Sequence, residues 1–190
     1  MTELVSLWDY ERLAEQKLDS GVWGYYAGGA GDELTLRDNV AAFRRWRLRP
    51  RVLVDVGAID LRTAVLGTEV SMPLLVAPFA MQGMLDPEGE LATARAVAAA
   101  GTLMCVSTIT SRPHAEIAAA APGAPRWLQL YVLSDRGLTE SHLDEALEAG
   151  YSAVVLTVDI PYLGKRERDL RQGFEVPADL PLPYLRSLVG

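Results

Sequence analysis

The chain has 190 residues, of which 49% are hydrophobic and 23% are charged, and its formal net charge is −7. This length and apolar content suffice for a globular domain with a buried core. The acidic balance argues against a nucleic-acid partner, because phosphate binding requires a basic surface.

Cysteine usage and hydropathy predict a cytoplasmic protein. Cys105 is the single cysteine, so no internal disulfide can form. It stands in the apolar run 103–106 and is expected to be a buried, inert thiol. The N-terminus lacks the basic and apolar regions of a secretory signal, and no apolar segment reaches the roughly 18 residues of a membrane span.

The first 45 residues predict two helices. Residues 7–18 carry an amphipathic pattern, and a glycine-rich turn is expected at 25–32. Asp32 is a candidate N-cap for a second helix that extends to Phe43.

The next segment predicts short strands. Two are expected within residues 46–66, on either side of Gly57, and Gly67 is expected to close the second. The basic stretch 44–51 alternates Arg with apolar residues, which indicates a half-buried strand with a solvated face rather than a nucleic-acid surface.

From residue 73 onward the pattern repeats as apolar strand followed by helix. Strand starts recur about every 24–29 residues, as in right-handed βα units of a parallel sheet. In the first helix Asp86 is a candidate N-cap, Glu88 and Glu90 favour the helix dipole, and Gly101 is the expected end. Strands are predicted at 74–77, 103–106, 127–131 and 153–158, and the later helices at 113–121 and 139–149.

The two histidines, His114 and His142, both fall in predicted helices. Exposed surface positions are the expectation for each, and neither is predicted to serve as a catalytic base.

Four βα strands fit either an open sheet or part of a closed barrel. No Gly-x-Gly-x-x-Gly follows any of these strands, which disfavours a dinucleotide-binding fold. A complete eightfold barrel needs about 250 residues. A four-stranded part of one would have bare edges, which are prone to aggregation unless another segment pairs with them.

Amide, hydroxyl and phenol groups lie at the carboxyl ends of the predicted strands, where barrel enzymes hold their sites. The positions in question are Pro78–Ala80, Ser107 with Thr108, Gln129 with Tyr131, and Thr157 with Asp159. Such groups suit hydrogen bonding to a planar polar heterocycle. No metal-ligand set is predicted.

The chain resembles the FMN-dependent 2-hydroxy acid oxidases and dehydrogenases, which include glycolate oxidase, lactate oxidase and mandelate dehydrogenase. Together the matching stretches are highly specific and span almost the whole chain. They are 25–30, 35–39 with Phe43, 48–56, Met72–Pro73, Ala77–Pro78, 80–82, 87–90, 92–95, 129–131 and 156–159.

The resemblance implies the N-terminal half of an FMN-binding (β/α)8 barrel of the TIM type. Residues 1–72 would form a cap of helices and a β-hairpin, 73–170 the first four βα units, and 171–190 the start of a mobile loop after the fourth strand.

The resemblance also implies roles for individual residues. Pro78, Phe79 and Ala80 would line the flavin, with the Ala80 amide near N5, and Ser107, Gln129 and Thr157 would hydrogen-bond it. Tyr25 and Tyr131 would contact the 2-hydroxy acid and take part in catalysis. Arg166 would bind the substrate carboxylate, for which a guanidinium offers planar, charge-assisted hydrogen bonds.

The implied activity is oxidation of a small 2-hydroxy acid to the 2-oxo acid by hydride transfer to the flavin. The family's Lys, its base His with a nearby Arg, and its phosphate-binding loops belong to the second half of the barrel. A complementary C-terminal half and a homo-oligomer, often a homotetramer, are therefore expected partners. A non-catalytic half-barrel or truncated product, and a different FMN barrel oxidoreductase, stay open as alternatives.

Overall fold

A computed structural model describes residues 4–184 of the chain. The described residues divide into two compact units. One comprises the residues up to Val56 together with Tyr162–Pro177, and the other comprises Gly57–Pro161 together with the residues from Ala178 onward. Residues 185–190, the end of the loop predicted at 171–190, lie outside the described part.

The first unit is helical. It contains α1 (Leu7–Lys17), α2 (Ser20–Ala27), α3 (Leu34–Phe43) and α7 (Glu167–Gln172). The Asp9 carboxylate accepts the Ser6 backbone N–H at 2.7 Å and so caps the start of α1. Helix α2 packs on α7, and a Cβ at Gly24 would overlap the Gln172 side chain, so glycine permits the close approach.

Three expectations for the first 56 residues are wrong. Helix α2 occupies 20–27, part of which was predicted as a glycine-rich turn. Helix α3 has Glu33 rather than Asp32 as its N-cap, with Glu33 at φ 56°. The basic stretch 44–51 is exposed and forms no strand, because within the described residues no strand pairs with it.

The second unit contains a hairpin and a parallel sheet. Strands β1 (Thr63–Val65) and β2 (Thr68–Val70) are antiparallel, and Gly67 supplies the turn at φ 75°. The hairpin therefore centres on Gly67. The second predicted strand, closed by Gly67, is confirmed as β1, whereas the first, predicted before Gly57, is wrong, because residues 46–56 form no strand. Strands β3 (Met104–Val106), β4 (Arg126–Leu130) and β5 (Ala153–Leu156) form a parallel sheet in chain order, and Val76 bridges to Met104.

The predicted βα repeat is confirmed, with shifted boundaries. The strand predicted at 74–77 is reduced to the bridge at Val76. Helix α4 (Glu90–Ala99) begins after a 3-10 turn at Gln82–Met84 and has Gly89, not Asp86, as its N-cap. Helix α5 (His114–Ala120) agrees with its prediction.

Helix α6 (Arg136–Glu148) starts three residues earlier than predicted. The carboxylate of Asp135 accepts the backbone N–H groups of Gly137 at 2.9 Å and Leu138 at 3.3 Å, and so caps the helix at this earlier point.

Strands β3 and β4 of the parallel sheet are buried on both faces, whereas β5 is mostly exposed. The face packed on the helices contributes Met104, Val106, Leu128 and Leu130, which contact Val97, Ile117 and Ala146. Leu103, Cys105 and Trp127 point to the opposite face, where they pack on Val70 of the hairpin. Side chains alternate between the two faces because successive residues of a strand point to opposite sides.

Cys105 is buried, as predicted, and this burial raises the pKa of its thiol to about 11. The expectation of exposed histidines is wrong. His114 is 0% exposed and His142 is 3% exposed. They lie on helices α5 and α6, which pack together. The His114 ring stacks on the Tyr184 ring and meets the Tyr151 ring edge-on, and the His142 ring meets the Tyr184 ring edge-on.

Across residues 4–184, none of the helices combines the length and the apolar character needed to cross a membrane.

Candidate active site

The alternation of side chains puts the predicted flavin contacts on one face of the sheet. Cys105 pairs with Trp127, and Gln129 pairs with Val155, in the parallel register. Counting by twos from these pairs, Ser107, Gln129 and Thr157 fall on the face that Cys105 and Trp127 occupy, opposite the helices. Ser107 and Thr157 come directly after β3 and β5, at the carboxyl edge of the sheet.

Hydrogen bonds connect these side chains across three neighbouring strands. The Gln129 Oε1 accepts from the Ser107 hydroxyl at 3.3 Å, and the Gln129 Nε2 donates to Thr157 Oγ1 at 2.8 Å. Gln129 and Ser107 are buried, and Thr157 is half-buried. The structure therefore brings these three predicted residues together.

Thr108 fixes the backbone around this row. Its N–H donates to Gln129 Oε1 at 3.1 Å, and its hydroxyl donates to the Gln129 carbonyl at 2.7 Å. The same hydroxyl accepts the backbone N–H of Tyr131 at 3.0 Å. Tyr131 is half-buried and is the first residue after β4, and this hydrogen bond holds its backbone in place.

The segment Pro78–Ala80 follows the bridge residue Val76 at the same edge of the sheet. Phe79 is 40% exposed, and its carbonyl accepts a hydrogen bond from Gln82 Nε2 at 3.2 Å. Gln82 in turn donates its backbone N–H to the fully buried carboxylate of Glu90 at 3.2 Å. In the sequence, Glu90 was predicted only to favour the helix dipole. The signal that could have marked it is its place as a second acidic residue, two after Glu88, at the start of an apolar helix.

Tyr25 and Arg166 lie together in the first unit. The Arg166 guanidinium stands 5.2 Å from the centre of the Tyr25 ring, and its Nη2 donates to the Tyr25 carbonyl. Its Nε donates to the Asp169 carboxylate at 2.5 Å. The Tyr25 ring also stacks on Phe174 with 4.8 Å between ring centres. Arg166 is the residue just before α7, where its side chain can reach both α2 and the first turn of α7.

The row of Ser107, Gln129 and Thr157 fits the ring system of a flavin. That ring has carbonyl acceptors and ring nitrogens, and amide and hydroxyl groups can donate to or accept from them. Within residues 4–184, no cluster of three or more His, Cys, Asp or Glu side chains is arranged to bind a metal ion.

Comparisons with known proteins identify the family to which the chain belongs. Residues 14–189 match the model of the FMN-dependent dehydrogenase family. The chain is 48% identical to an L-lactate oxidase from Nostoc sp. over 189 residues, which are 98% of the chain. It is 47% identical to glycolate oxidase 1 from Zea mays over 188 residues, which are 99% of the chain.

A solved structure is also similar. A soluble mutant of the membrane-associated (S)-mandelate dehydrogenase from Pseudomonas putida shares 38% identity with the chain over 97% of its length, with a TM-score of 0.91. The chain spans about half the length of these relatives, namely 52% of the lactate oxidase, 51% of the glycolate oxidase and 52% of the mandelate dehydrogenase.

Proposed function

Because the chain belongs to the FMN-dependent dehydrogenase family, whose cofactor is FMN, we propose that it contributes the N-terminal part of an enzyme that oxidises a small 2-hydroxy acid to the 2-oxo acid. The observation that carries this proposal is the row of Ser107, Gln129 and Thr157, which are hydrogen-bonded to one another at the carboxyl edge of a parallel sheet.

The fold proposed for the whole protein is a TIM-type (β/α)8 barrel, of which this chain forms the first half. Residues 1–72 would be its cap, 73–170 its first four βα units and 171–190 the start of the loop after the fourth strand. Two features support this. The strands follow one another in chain order, starting from Val76, and the relatives are about twice as long as this chain.

The proposed flavin contacts are of two kinds. Ser107, Gln129 and Thr157 would hydrogen-bond the ring or its side chain. The backbone of Pro78, Phe79 and Ala80 would line the ring, with the Ala80 amide close to N5. When bound, FMN supplies the acceptor for the hydride that leaves C2 of the hydroxy acid.

The proposed substrate contacts are Tyr25, Tyr131 and Arg166, with the two tyrosines also acting as catalytic residues. A phenol can hydrogen-bond the hydroxyl or the carboxylate of a hydroxy acid without bringing a charge. The Arg166 guanidinium already pairs with Asp169, so a substrate carboxylate would have to share or displace that contact. Charge-assisted hydrogen bonds from a planar guanidinium make such an exchange between carboxylates feasible.

We propose a complementary C-terminal half, as a segment or a separate chain, as the partner that completes the site. The outer strand β5 supports this, since Val154 and Leu156 are each 51% exposed and Val158, two residues beyond its end, is 79% exposed. An apolar sheet edge of this kind invites pairing with a further strand. The C-terminal half would supply the base His with its Arg, and the Lys. A cytoplasmic homo-oligomer, such as a homotetramer, is the assembly we propose.

Two alternative functions are distinguishable. A different FMN barrel oxidoreductase would keep the Ser107–Gln129–Thr157 row but would not turn over hydroxy acids. The Tyr25–Arg166 pair favours a small carboxylate substrate. A non-catalytic half-barrel would bind neither flavin nor a second half, and the exposed apolar residues of β5 argue against a stable isolated form.

Native mass spectrometry tests the proposal. A species that contains this chain, a C-terminal half and FMN, and that bleaches its flavin absorbance when lactate, glycolate or mandelate is added without oxygen, would support it. A flavin-free species consisting of this chain alone would refute it. A flavin-bound species that none of the three acids reduces would favour another FMN barrel reaction.

A further inference from the structure

A buried carboxylate links the loop that carries Phe79 to the loop that follows β3. Glu90, the first residue of α4, has no exposed surface. Its Oε1 accepts the backbone N–H groups of Gln82 at 3.2 Å and Ser111 at 2.9 Å, and its Oε2 accepts the Ser111 hydroxyl at 2.5 Å. Burial of a carboxylate is unfavourable unless hydrogen bonds replace its water. These three donors and the amino end of α4 supply that replacement.

Gln82 and Ser111, the two residues that Glu90 binds, hydrogen-bond the backbone of the loop that carries Phe79. The Ser111 hydroxyl accepts the backbone N–H of Gly83 at 2.8 Å. The Gln82 side chain donates to the Phe79 carbonyl at 3.2 Å and accepts from the Thr93 hydroxyl at 2.6 Å. One side chain therefore separates the Glu90 carboxylate from the Phe79 backbone.

The backbone in this loop needs such support. Met81 is a buried residue with φ 53°, in the left-handed region that side chains disfavour. Its N–H donates to the Ile109 carbonyl at 2.8 Å. Gly89 also has a positive φ, and a Cβ there would come within 3.0 Å of the Gly83 nitrogen and 3.2 Å of the Ser111 hydroxyl. A strained turn persists only where its surroundings hold it in place.

We propose that Glu90 is a positioning residue for the backbone of Pro78–Ala80, acting through Gln82 and Ser111. This inference rests on the proposed function, in which that backbone lines the flavin. A backbone amide stabilises charge at a reacting atom only if its direction is fixed before the reaction. Glu90 contacts neither flavin nor substrate in this scheme, and its effect is on the precision of the loop.

The first test is hydrogen exchange in the protein that contains this chain, with and without FMN. In the Glu90→Gln variant the side chain keeps its shape but loses its charge and one acceptor oxygen. Amides of residues 79–83 are expected to exchange at least tenfold faster than in the wild type. Glu116→Gln is the matched control, because Glu116 is an exposed acidic residue in the first turn of α5. Unchanged exchange in Glu90→Gln would overturn the proposal.

The second test separates positioning from general stabilisation. In Glu90→Gln the rate constant for flavin reduction by a 2-hydroxy acid is expected to fall at least tenfold, while the substrate Kd and the FMN content stay at wild-type values. Thr93→Val removes only the hydroxyl that donates to Gln82. It is expected to speed amide exchange of residues 79–83 and to slow flavin reduction, each by less than Glu90→Gln does. This variant replaces Glu90→Gln in both tests if Glu90→Gln does not fold. Faster exchange with an unchanged reduction rate would mean that Glu90 only stabilises the fold, which also overturns the proposal.

Failure of the proposed function has a different signature. In that case the wild type itself would not bind FMN or would not be reduced by hydroxy acids. The exchange measurement without FMN would still decide whether Glu90 holds residues 79–83.

Discussion

The Gln129 side chain donates to Thr157 Oγ1 at 2.8 Å while its oxygen accepts the Thr108 backbone N–H at 3.1 Å. A backbone N–H can only donate, so the amide oxygen must face β3 and the amide nitrogen must face β5. The Thr157 oxygen therefore accepts from Gln129, which leaves its own hydroxyl hydrogen to donate to a different acceptor. A flavin carbonyl or ring nitrogen is an acceptor of the required kind.

This orientation predicts the effect of Gln129→Leu on cofactor binding. The substitution keeps much of the volume but leaves the Thr108 N–H and the Ser107 hydroxyl without their acceptor. We expect FMN to bind at least tenfold more weakly and the free energy of unfolding to fall by about 1–3 kcal/mol, the usual effect of unsatisfied buried polar groups. Flavin fluorescence titration and urea unfolding measure the two effects.

The matched control is Gln16→Leu, because Gln16 is exposed on α1. It should leave both FMN affinity and stability at wild-type values. An FMN affinity of Gln129→Leu equal to that of the wild type would mean that Gln129 does not contact the flavin.

The elements predicted correctly from the sequence lie mostly in the part of the chain where apolar strands and helices alternate regularly. The strands at β3, β4 and β5 are recognisable because their apolar runs are continuous and glycines punctuate the helices between them, as Gly101 and Gly150 do. The same patterns placed Ser107, Gln129 and Thr157 at the carboxyl ends of these strands, whereas the register that aligns them comes from the structure. Element type follows from such local patterns, whereas boundaries depend on caps such as Asp135.

The failures have tertiary causes. Residues 46–62 alternate like a strand, but a strand needs a partner, and within the described residues none pairs with them. His114 and His142 look like surface residues of helices until α5 and α6 pack together. The role of Glu90 was missed because its partners, Gln82 and Ser111, lie 8 and 21 residues away in the chain.

The buried histidines predict that the protein loses stability as the pH falls. Burial, with the nearby His142, lowers the pKa of His114 to about 3, and burial also lowers the pKa of His142. In the unfolded chain each histidine is protonated near its ordinary pKa of about 6.5. In the folded chain both histidines stay neutral to lower pH, because their pKa values are lowered. Stability is therefore full above pH 6.5 and should decline by up to about 1.4 kcal/mol per pH unit for each histidine below it, until the folded pKa is reached.

Urea unfolding at pH 7.0 and 5.0, compared between the wild type and the double variant His114→Phe/His142→Phe, measures this dependence. The variant removes the only two histidines of the chain, so the acidic groups contribute the remaining slope. Glu116 and Glu145, which act on this cluster electrostatically, stay in both proteins. Equal pH slopes for wild type and variant would contradict the prediction.

Cys105 is predicted to report global unfolding. Its thiol is buried in the cluster of Val70, Leu103 and Trp127, and burial raises its pKa to about 11. Because the thiolate is the reactive form, a thiol reagent at pH 8 should modify the folded protein at least 100-fold more slowly than the protein in 8 M urea. Mass spectrometry follows the modification, and rapid labelling of the folded protein would show that this cluster opens readily.

The exposed edge of the sheet predicts where a charge would block pairing with the proposed C-terminal half. Val154 on β5 is 51% exposed, and burial of a valine side chain contributes about 1.5–3 kcal/mol. We expect Val154→Lys to weaken association with a C-terminal half at least tenfold, since the ammonium group would have to leave water. Val5→Lys is the control, because Val5 is 82% exposed and precedes α1. Titration of this chain with the C-terminal half, followed by analytical ultracentrifugation, compares the two variants, and equal weakening by both would argue against β5 as the pairing edge.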